Sequence, residues 1–140
     1  MEARTGFAPD TETVSAERDH TQNAVVVAGD GGTRALLQGL LRMNLVPVVG
    51  EAAGENEGFE LVRRHRPTIL VVDVGLADGS WNGLVGQARA LVSQLRVIVI
   101  APASNPPSPS GDPSQRADIT LVRPFLLRDF AEALLPAKAG

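Results

Sequence analysis

A glycine-rich turn, Gly29-Asp30-Gly31-Gly32, stands between an apolar run and a leucine-rich segment. A strand, a glycine turn and a helix in this order begin many phosphate-binding sites, because the N–H groups of a helix N-terminus attract anions. The dinucleotide pattern G-x-G-x-x-G would need a third glycine where Arg34 stands, and no P-loop lysine follows. Asp30 would also stand beside the bound anion. Nucleotide binding is therefore a less favoured hypothesis for the Gly29–Gly32 turn.

Four residues stand at or near the ends of apolar runs in the sequence. Asp30 comes shortly after "AVVVA", Asp73 closes "TILVVD", Ala101 ends "RVIVIA" and Arg123 follows "DITLV". If these runs are parallel strands, all four residues lie at the carboxyl edge of one sheet, which is where α/β sheets bind ligands. Two carboxylates and one guanidinium therefore form the candidate site.

The composition argues against nucleophilic or thiol catalysis. The sequence has no cysteine, and its two histidines, His20 and His65, are far apart. With no cysteine and with two histidines far apart in the sequence, the usual pair of an activated nucleophile and its base is missing. The absence of cysteine also excludes disulfides and thiolate zinc sites and suits a reducing cytoplasm. The sequence thus predicts a cytoplasmic protein that is not an enzyme.

Charge and hydropathy exclude two classes of partner. The formal net charge is −3, so there is no basic surplus of the kind that binds nucleic acid. No apolar run approaches the roughly 20 residues that span a bilayer. The first residues carry acids and lack the apolar core of a signal peptide. We expect neither a nucleic-acid partner nor a membrane partner.

The elements that must position the candidate site alternate between strand and helix. Short apolar runs without alternation predict strands buried on both faces, and leucine stripes such as Leu36, Leu37, Leu40 and Leu41 predict helices between them. Thr33 and Ser80 are candidate N-caps, and Asn44 can close the first helix. The predicted order, βαβαβαβ–loop–βα, implies an α/β fold with a parallel sheet and helices on both faces.

The chain is predicted to contain one domain. Residues 1–22 are polar without an apolar period and are expected to be a flexible tail, residues 23–136 form the domain, and residues 137–140 are a short C-terminal tail. Between the fourth and fifth strands, the segment 102–115 contains five prolines. These prolines forbid a full-length helix there, so we expect a loop that exchanges its amide protons rapidly.

Two segments resemble the receiver domain of bacterial two-component response regulators. "RPTILVVDVGLADGS" resembles the family's phospho-acceptor segment, and "ADITLVRPFLLRDFAEAL" resembles its pattern AxxYLxKPFxxxxLxxxL. The likeness extends from about Ala24 to Leu135. It implies a CheY-like, flavodoxin-like (βα)5 three-layer sandwich with a five-stranded parallel sheet, in which the Pro-rich loop shortens or replaces the fourth helix.

The resemblance also implies roles for particular residues. Asp73 falls on the position that accepts a phosphoryl group from a histidine kinase, and Arg123 replaces the lysine that contacts the phosphoryl oxygens. The acidic pair that holds Mg²⁺ in the family corresponds to Ala28 and Gly29. Asp30, one place later, could assist Asp73 in a weak Mg²⁺ site.

Two further departures affect signal transmission. Ala101 offers no hydroxyl where the family has Thr or Ser, and Thr120 replaces the switch aromatic of the fifth strand. The sequence therefore predicts an atypical stand-alone receiver in a phosphorelay, partnered by a sensor histidine kinase or another signalling protein. A phosphorylation-independent interaction module, or pseudo-receiver, is the main alternative, ahead of the nucleotide-binding protein.

Overall fold

Five parallel strands form one sheet in the computed structural model, which describes residues 22–104 and 112–135. The strands are β1 (Ala24–Val27), β2 (Val48–Ala52), β3 (Ile69–Asp73), β4 (Arg96–Pro102) and β5 (Ile119–Arg123). Their spatial order is β2-β1-β3-β4-β5, so β2 and β5 are the edge strands. The predicted α/β fold with a five-stranded parallel sheet is confirmed.

The helices cover both faces of the sheet. They are α1 (Gly31–Met43), α2 (Glu55–His65), α3 (Trp81–Leu91) and α4 (Leu127–Ala133). Helices α1 and α4 enclose one apolar core, in which Leu37 and Phe130 are fully buried. Helices α2 and α3 enclose the second core, which contains Val62 and Leu84. The three layers follow because the strands are apolar on both faces, so helices must cover each face of the sheet.

The central strands β1 and β3 are buried along their whole length. Each residue of β1 pairs in register with one of β3, from Ala24 opposite Ile69 to Val27 opposite Val72. The edge strand β5 instead alternates between half-buried and exposed residues, and Thr120 is exposed. Apolar runs without alternation therefore correctly indicated the central strands.

Helix caps agree with the sequence at two of three positions. Asn44 caps the C-terminus of α1, and the Ser80 hydroxyl accepts a hydrogen bond from the Gly83 N–H at the start of α3. The predicted Thr33 cap of α1 is wrong, because the helix begins at Gly31, three residues earlier than a Thr33 cap requires, and Asp30 is its N-cap. Thr33 instead donates its backbone N–H and its hydroxyl to the Asp30 carboxylate.

One leucine of the predicted stripe on α1 does not face the core. Leu37, Leu40 and Leu41 are buried, whereas Leu36 is 55% exposed. A helix turns 100° per residue, so four leucines in adjoining positions span more of its circumference than the sheet covers.

The Pro-rich connection between β4 and β5 contains one short regular element in its described part. Pro113–Gln115 form a 3₁₀ turn, with Asp112 as its N-cap, and this turn packs against α3. Pro102, where the predicted loop begins, is still part of β4. Residues 105–111 of that loop lie outside the described residues, as do residues 1–21 of the predicted N-terminal tail and all of the C-terminal tail. None of the helices in the described ranges has the length and apolar character to cross a membrane.

Candidate functional site

The candidate residues meet at the carboxyl edge of the sheet, as the predicted topology requires. Asp73 is the last residue of β3, and Arg123 is the last residue of β5. Strand β4 lies between them, with Ile100 opposite Asp73 and Pro102 opposite Arg123. An arginine side chain is long enough to cross the intervening strand, so an ion pair can form over its end.

The Asp73 carboxylate has a partner at each oxygen. Oδ2 accepts a hydrogen bond from a terminal guanidinium nitrogen of Arg123, which also forms a salt bridge with it. Oδ1 accepts a 2.7 Å hydrogen bond from the Gly75 backbone N–H. The residue is only 7% exposed, so these two partners offset part of the cost of burying its carboxyl group.

Arg123 connects the buried carboxylate to the surface. Its side chain is 41% exposed, whereas that of Asp73 is 10% exposed. The bond from Arg123 to Pro124 is cis. A guanidinium carries several donors in one plane, so Arg123 can bind Asp73 and still offer N–H groups to an incoming oxyanion.

Gly29 leaves no room for a side chain at the position of the family's second acidic residue. Its N–H donates a 2.9 Å hydrogen bond to the Gly75 carbonyl oxygen. A Cβ atom at Gly29 would lie 2.5 Å from that oxygen and 3.0 Å from the Ala77 nitrogen. Both neighbours are backbone atoms and cannot rotate away. A carboxylate at position 29 would therefore require the loop after Asp73 to move.

Asp30 lies at the same edge but turns its carboxylate towards its own helix. Oδ2 accepts hydrogen bonds from the Thr33 N–H at 2.8 Å and from the Thr33 hydroxyl at 3.0 Å. These bonds, together with the charges of Arg34 and Arg123, hold the pKa of Asp30 below its usual value. A phosphate at this helix N-terminus would meet a carboxylate where a nucleotide site offers free N–H groups, which weighs against nucleotide binding.

The residues present do not fit the usual Mg²⁺ site of three carboxylates. No group of three or more His, Cys, Asp or Glu residues that could hold a metal occurs among residues 22–104 and 112–135. Ala28 and Gly29 supply no side-chain ligand, and Asp30 is engaged by Thr33. The Mg²⁺ site of Asp30 and Asp73 stays a prediction, and we base no mechanistic step on it.

Arg34 places a second cation near the end of β1, and the sequence analysis considered it only as the residue that occupies the place of the third glycine in the dinucleotide pattern. Its Nη1 donates a 2.7 Å hydrogen bond to the Ala28 carbonyl oxygen, and its Nε forms a 2.9 Å salt bridge with Glu51 on β2. No spacing rule connects position 34 with position 51, so the sequence carried no signal for this pair.

The loop that follows Asp73 is braced against α2 by residues that the sequence analysis did not single out. Asp78 Oδ1 accepts a 2.8 Å hydrogen bond from the Glu55 N–H, and Glu55 Oε1 accepts one of 2.8 Å from the Ser80 N–H. Gly79 adopts a positive φ of 72°, which glycine tolerates. The Asp78 carboxylate thus accepts from the first residue of α2, and the Glu55 carboxylate accepts from the N-cap residue of α3.

Comparison with solved structures identifies the fold. No protein-family model matches the sequence, and no curated protein matches it either. A CheY-like receiver domain from Methylobacillus flagellatus matches with a TM-score of 0.70 and 18% identity over 81% of this chain and 96% of that one.

Two further solved structures agree with this assignment. A response regulator receiver domain protein from Clostridium thermocellum matches with a TM-score of 0.67 and 15% identity over 80% of this chain and 90% of that one. The receiver domain of AraT, a response regulator from Geobacillus stearothermophilus, matches with a TM-score of 0.65 and 20% identity over 80% and 91%. The chain therefore has the fold of response regulator receiver domains, as its two sequence segments implied.

Proposed function

We propose that this chain acts as an atypical receiver domain in two-component signalling, with Asp73 as the phospho-acceptor and a sensor histidine kinase or another signalling protein as its partner. The observation that carries the proposal is the position of Asp73. It ends the central strand β3 at the edge where the receiver fold holds its acceptor, with a cation bound to one oxygen.

The chemistry needs a nucleophile and a means to neutralise charge. An Asp73 carboxylate oxygen attacks the phosphorus of the donor and forms an acyl phosphate. The bond from phosphorus to the donor histidine nitrogen breaks, and its electron pair leaves with the imidazole, which takes up a proton. Arg123 then pairs with the phosphoryl oxygens, because a planar guanidinium can donate two parallel N–H bonds to two oxygens of one phosphoryl group. Such reactions depend mainly on positioning and on charge stabilisation.

Two features of the pocket make this acceptor slow. Ala101 is fully buried and has no hydroxyl to donate to the phosphoryl group. A hydrogen bond to a charged oxygen contributes about 1.5–3 kcal/mol, so its loss corresponds to roughly a ten- to hundredfold lower rate. Gly29 supplies no carboxylate, which removes part of the charge stabilisation that a metal would give.

A second candidate function is a phosphorylation-independent interaction module. It is favoured by the contact between Gly29 and the Gly75 carbonyl, which closes the position where the family's second acidic residue would stand. In this alternative, Asp73 and Arg123 serve as a structural ion pair, and a partner protein binds the surface without a phosphate signal.

Intact mass spectrometry after incubation with acetyl phosphate distinguishes the two functions. The full chain is incubated with and without Mg²⁺, beside the variants Asp73→Asn and Asp78→Asn. Asp78 is the matched control, because it lies in the same loop five residues after the acceptor and its asparagine still accepts a hydrogen bond. We expect one phosphoryl mass on the wild type and on Asp78→Asn, and none on Asp73→Asn.

Absence of the adduct after long incubation, with the fold intact by circular dichroism, would reject the acceptor role and leave the interaction module. An adduct that persists in Asp73→Asn would show that another residue is modified and would equally reject the assignment.

A further inference from the structure

A cavity of about 560 Å³ opens at the amino edge of the sheet, the end opposite Asp73. Its wall includes Thr68, which precedes β3, Arg96, which begins β4, and Asp118, which precedes β5. The five residues of β3 separate it from the Asp73 carboxylate by roughly 16 Å at about 3.3 Å per residue. The volume falls within the range of small-molecule sites, and neither the receiver likeness nor the proposed function uses this cavity.

One arginine of the cavity is already neutralised. Arg89, on α3, forms a 3.1 Å salt bridge with Asp118 and donates to the carbonyl oxygens of Leu95 and Arg116. The same Asp118 oxygen accepts a 2.7 Å hydrogen bond from the Val97 N–H. Oδ2 of Asp118 is therefore shared between Arg89 and the backbone of β4.

Among the described residues, Arg96 is a cavity cation without an acidic partner. Its Nε donates a 2.6 Å hydrogen bond to the Ala133 carbonyl oxygen at the end of α4. No salt bridge involves Arg96, and no hydrogen bond joins its Nη1 or Nη2 to another residue, within the described part of the chain. A carbonyl carries only a partial charge, so the bond orients the guanidinium without neutralising it.

The remaining polar groups of the cavity wall are uncharged. Ser93 and Gln94 lie on the exposed turn between α3 and β4, next to Arg96. With Arg89 balanced by Asp118, the described residues of the wall carry one net positive charge, which belongs to Arg96. An oriented guanidinium with free terminal N–H groups, beside a hydroxyl and an amide, matches the needs of a planar or tetrahedral oxyanion.

We infer that this cavity binds the carboxylate or phosphate group of a small anionic molecule, with Arg96 as the charged ligand. Nη1 and Nη2 donate to the oxyanion, and Ser93 and Gln94 supply neutral contacts at its rim. The site is independent of phosphorylation at Asp73, because its groups come from the opposite end of the strands.

Titration of the isotopically labelled full chain, followed by its amide NMR signals, tests the inference. Sodium phosphate and sodium acetate are added separately, and sodium chloride at equal ionic strength serves as the control. We expect saturable shifts at residues 93–96 with phosphate, acetate or both, and no saturation with chloride. The arm that saturates at lower concentration identifies the preferred oxyanion.

Two variants at the cavity and one elsewhere make the result specific. Arg96→Gln removes the charge, and we expect at least about tenfold weaker binding, as for the loss of a charged hydrogen bond. Gln94→Glu keeps Arg96 in place but adds a negative charge at the exposed rim, so it too should weaken binding. The exposed position of Gln94 means that this change should leave the fold intact. Arg123→Gln alters the Asp73 site and should leave the shifts at residues 93–96 unchanged.

Shifts that chloride reproduces, or shifts that survive both cavity variants, would overturn the inference. Loss of the shifts at residues 93–96 in Arg123→Gln would overturn it as well, since the anion would then act through the Asp73 site. Failure of acetyl phosphate to modify Asp73 has no bearing on this outcome, so the two proposals can fail separately.

Discussion

Replacement of Gly29 by alanine should destabilise the protein, although the change adds a single methyl group. The added carbon would lie 2.5 Å from the Gly75 carbonyl oxygen and 3.0 Å from the Ala77 nitrogen. The loop after Asp73 must retreat, which strains or breaks the 2.9 Å hydrogen bond from the Gly29 N–H to the Gly75 carbonyl. Overpacking of this kind costs about 1–3 kcal/mol, and a lost hydrogen bond adds about 0.5–1.5 kcal/mol.

We therefore expect the free energy of unfolding to fall by about 2–3 kcal/mol in Gly29→Ala. With a denaturant slope of about 1.5–2 kcal/mol/M, the urea midpoint should decrease by about 1–2 M. The protein has a single tryptophan, Trp81, at the start of α3, so its fluorescence can follow unfolding in urea.

Gly39→Ala is the matched control for this measurement. Gly39 lies within α1, and a Cβ atom there would meet nothing within 4 Å. Alanine is a better helix former than glycine, so this variant should gain about 0.5–1 kcal/mol. The same chemical change should thus have opposite signs at the two positions. A neutral or stabilising effect of Gly29→Ala would refute the close contact and, with it, the argument that position 29 excludes a carboxylate.

Three further predictions follow from the ion pair, the helix cap and the core. Arg123→Gln leaves the buried Asp73 carboxylate without its cation and should lower the free energy of unfolding by about 1–2 kcal/mol, given that the arginine is partly exposed. In urea unfolding, adding Asp73→Asn should recover part of this loss. Strict additivity of the two single-variant effects would contradict the pairing. Asp30 has a lowered pKa in the fold, chiefly through the Thr33 N–H, so its stabilising contribution is present above the unfolded value near 3.9 and is lost as the pH falls through the folded pKa. Asp30→Asn cannot titrate, and the stability of the wild type relative to this variant should decline below about pH 4; a constant difference would count against the cap. Phe130→Ala empties a fully buried position of α4 and should cost about 3–5 kcal/mol in thermal or urea unfolding, whereas a loss under 1 kcal/mol would mean that α4 is not packed as described.

The fold could be predicted because its signals are local. The run of residues 69–73 is apolar up to its final aspartate, and β3 is buried along its entire length. A strand of this kind must be covered on both faces, and the alternation of strands with helices leaves few topologies other than a parallel sheet. The same reasoning brought Asp73 and Arg123 to one edge, where the structure joins them.

Local signals were less reliable where two nearby residues compete for one role. Thr33 and Asp30 are both good N-cap residues, and the sequence analysis considered only Thr33. The structure selects Asp30, because α1 begins at Gly31 and the carboxylate then accepts two hydrogen bonds from Thr33. In the same way, the leucine stripe predicted the inner face of α1 but included Leu36, which the neighbouring elements leave exposed.

The sequence by itself determined the strands, the helices and the edge at which Asp73 and Arg123 meet, because periodicity and strand direction are properties of short segments. Only the tertiary structure decided which distant groups touch. Gly29 meets the Gly75 carbonyl and Arg34 meets Glu51 across gaps of chain that no spacing rule spans. Asp118 pairs with Arg89, whereas Arg96 donates to the Ala133 carbonyl oxygen and has no carboxylate partner within residues 22–104 and 112–135. Such contacts depend on how the loops pack, and their energies follow from distances of a few ångströms that the order of residues does not encode locally.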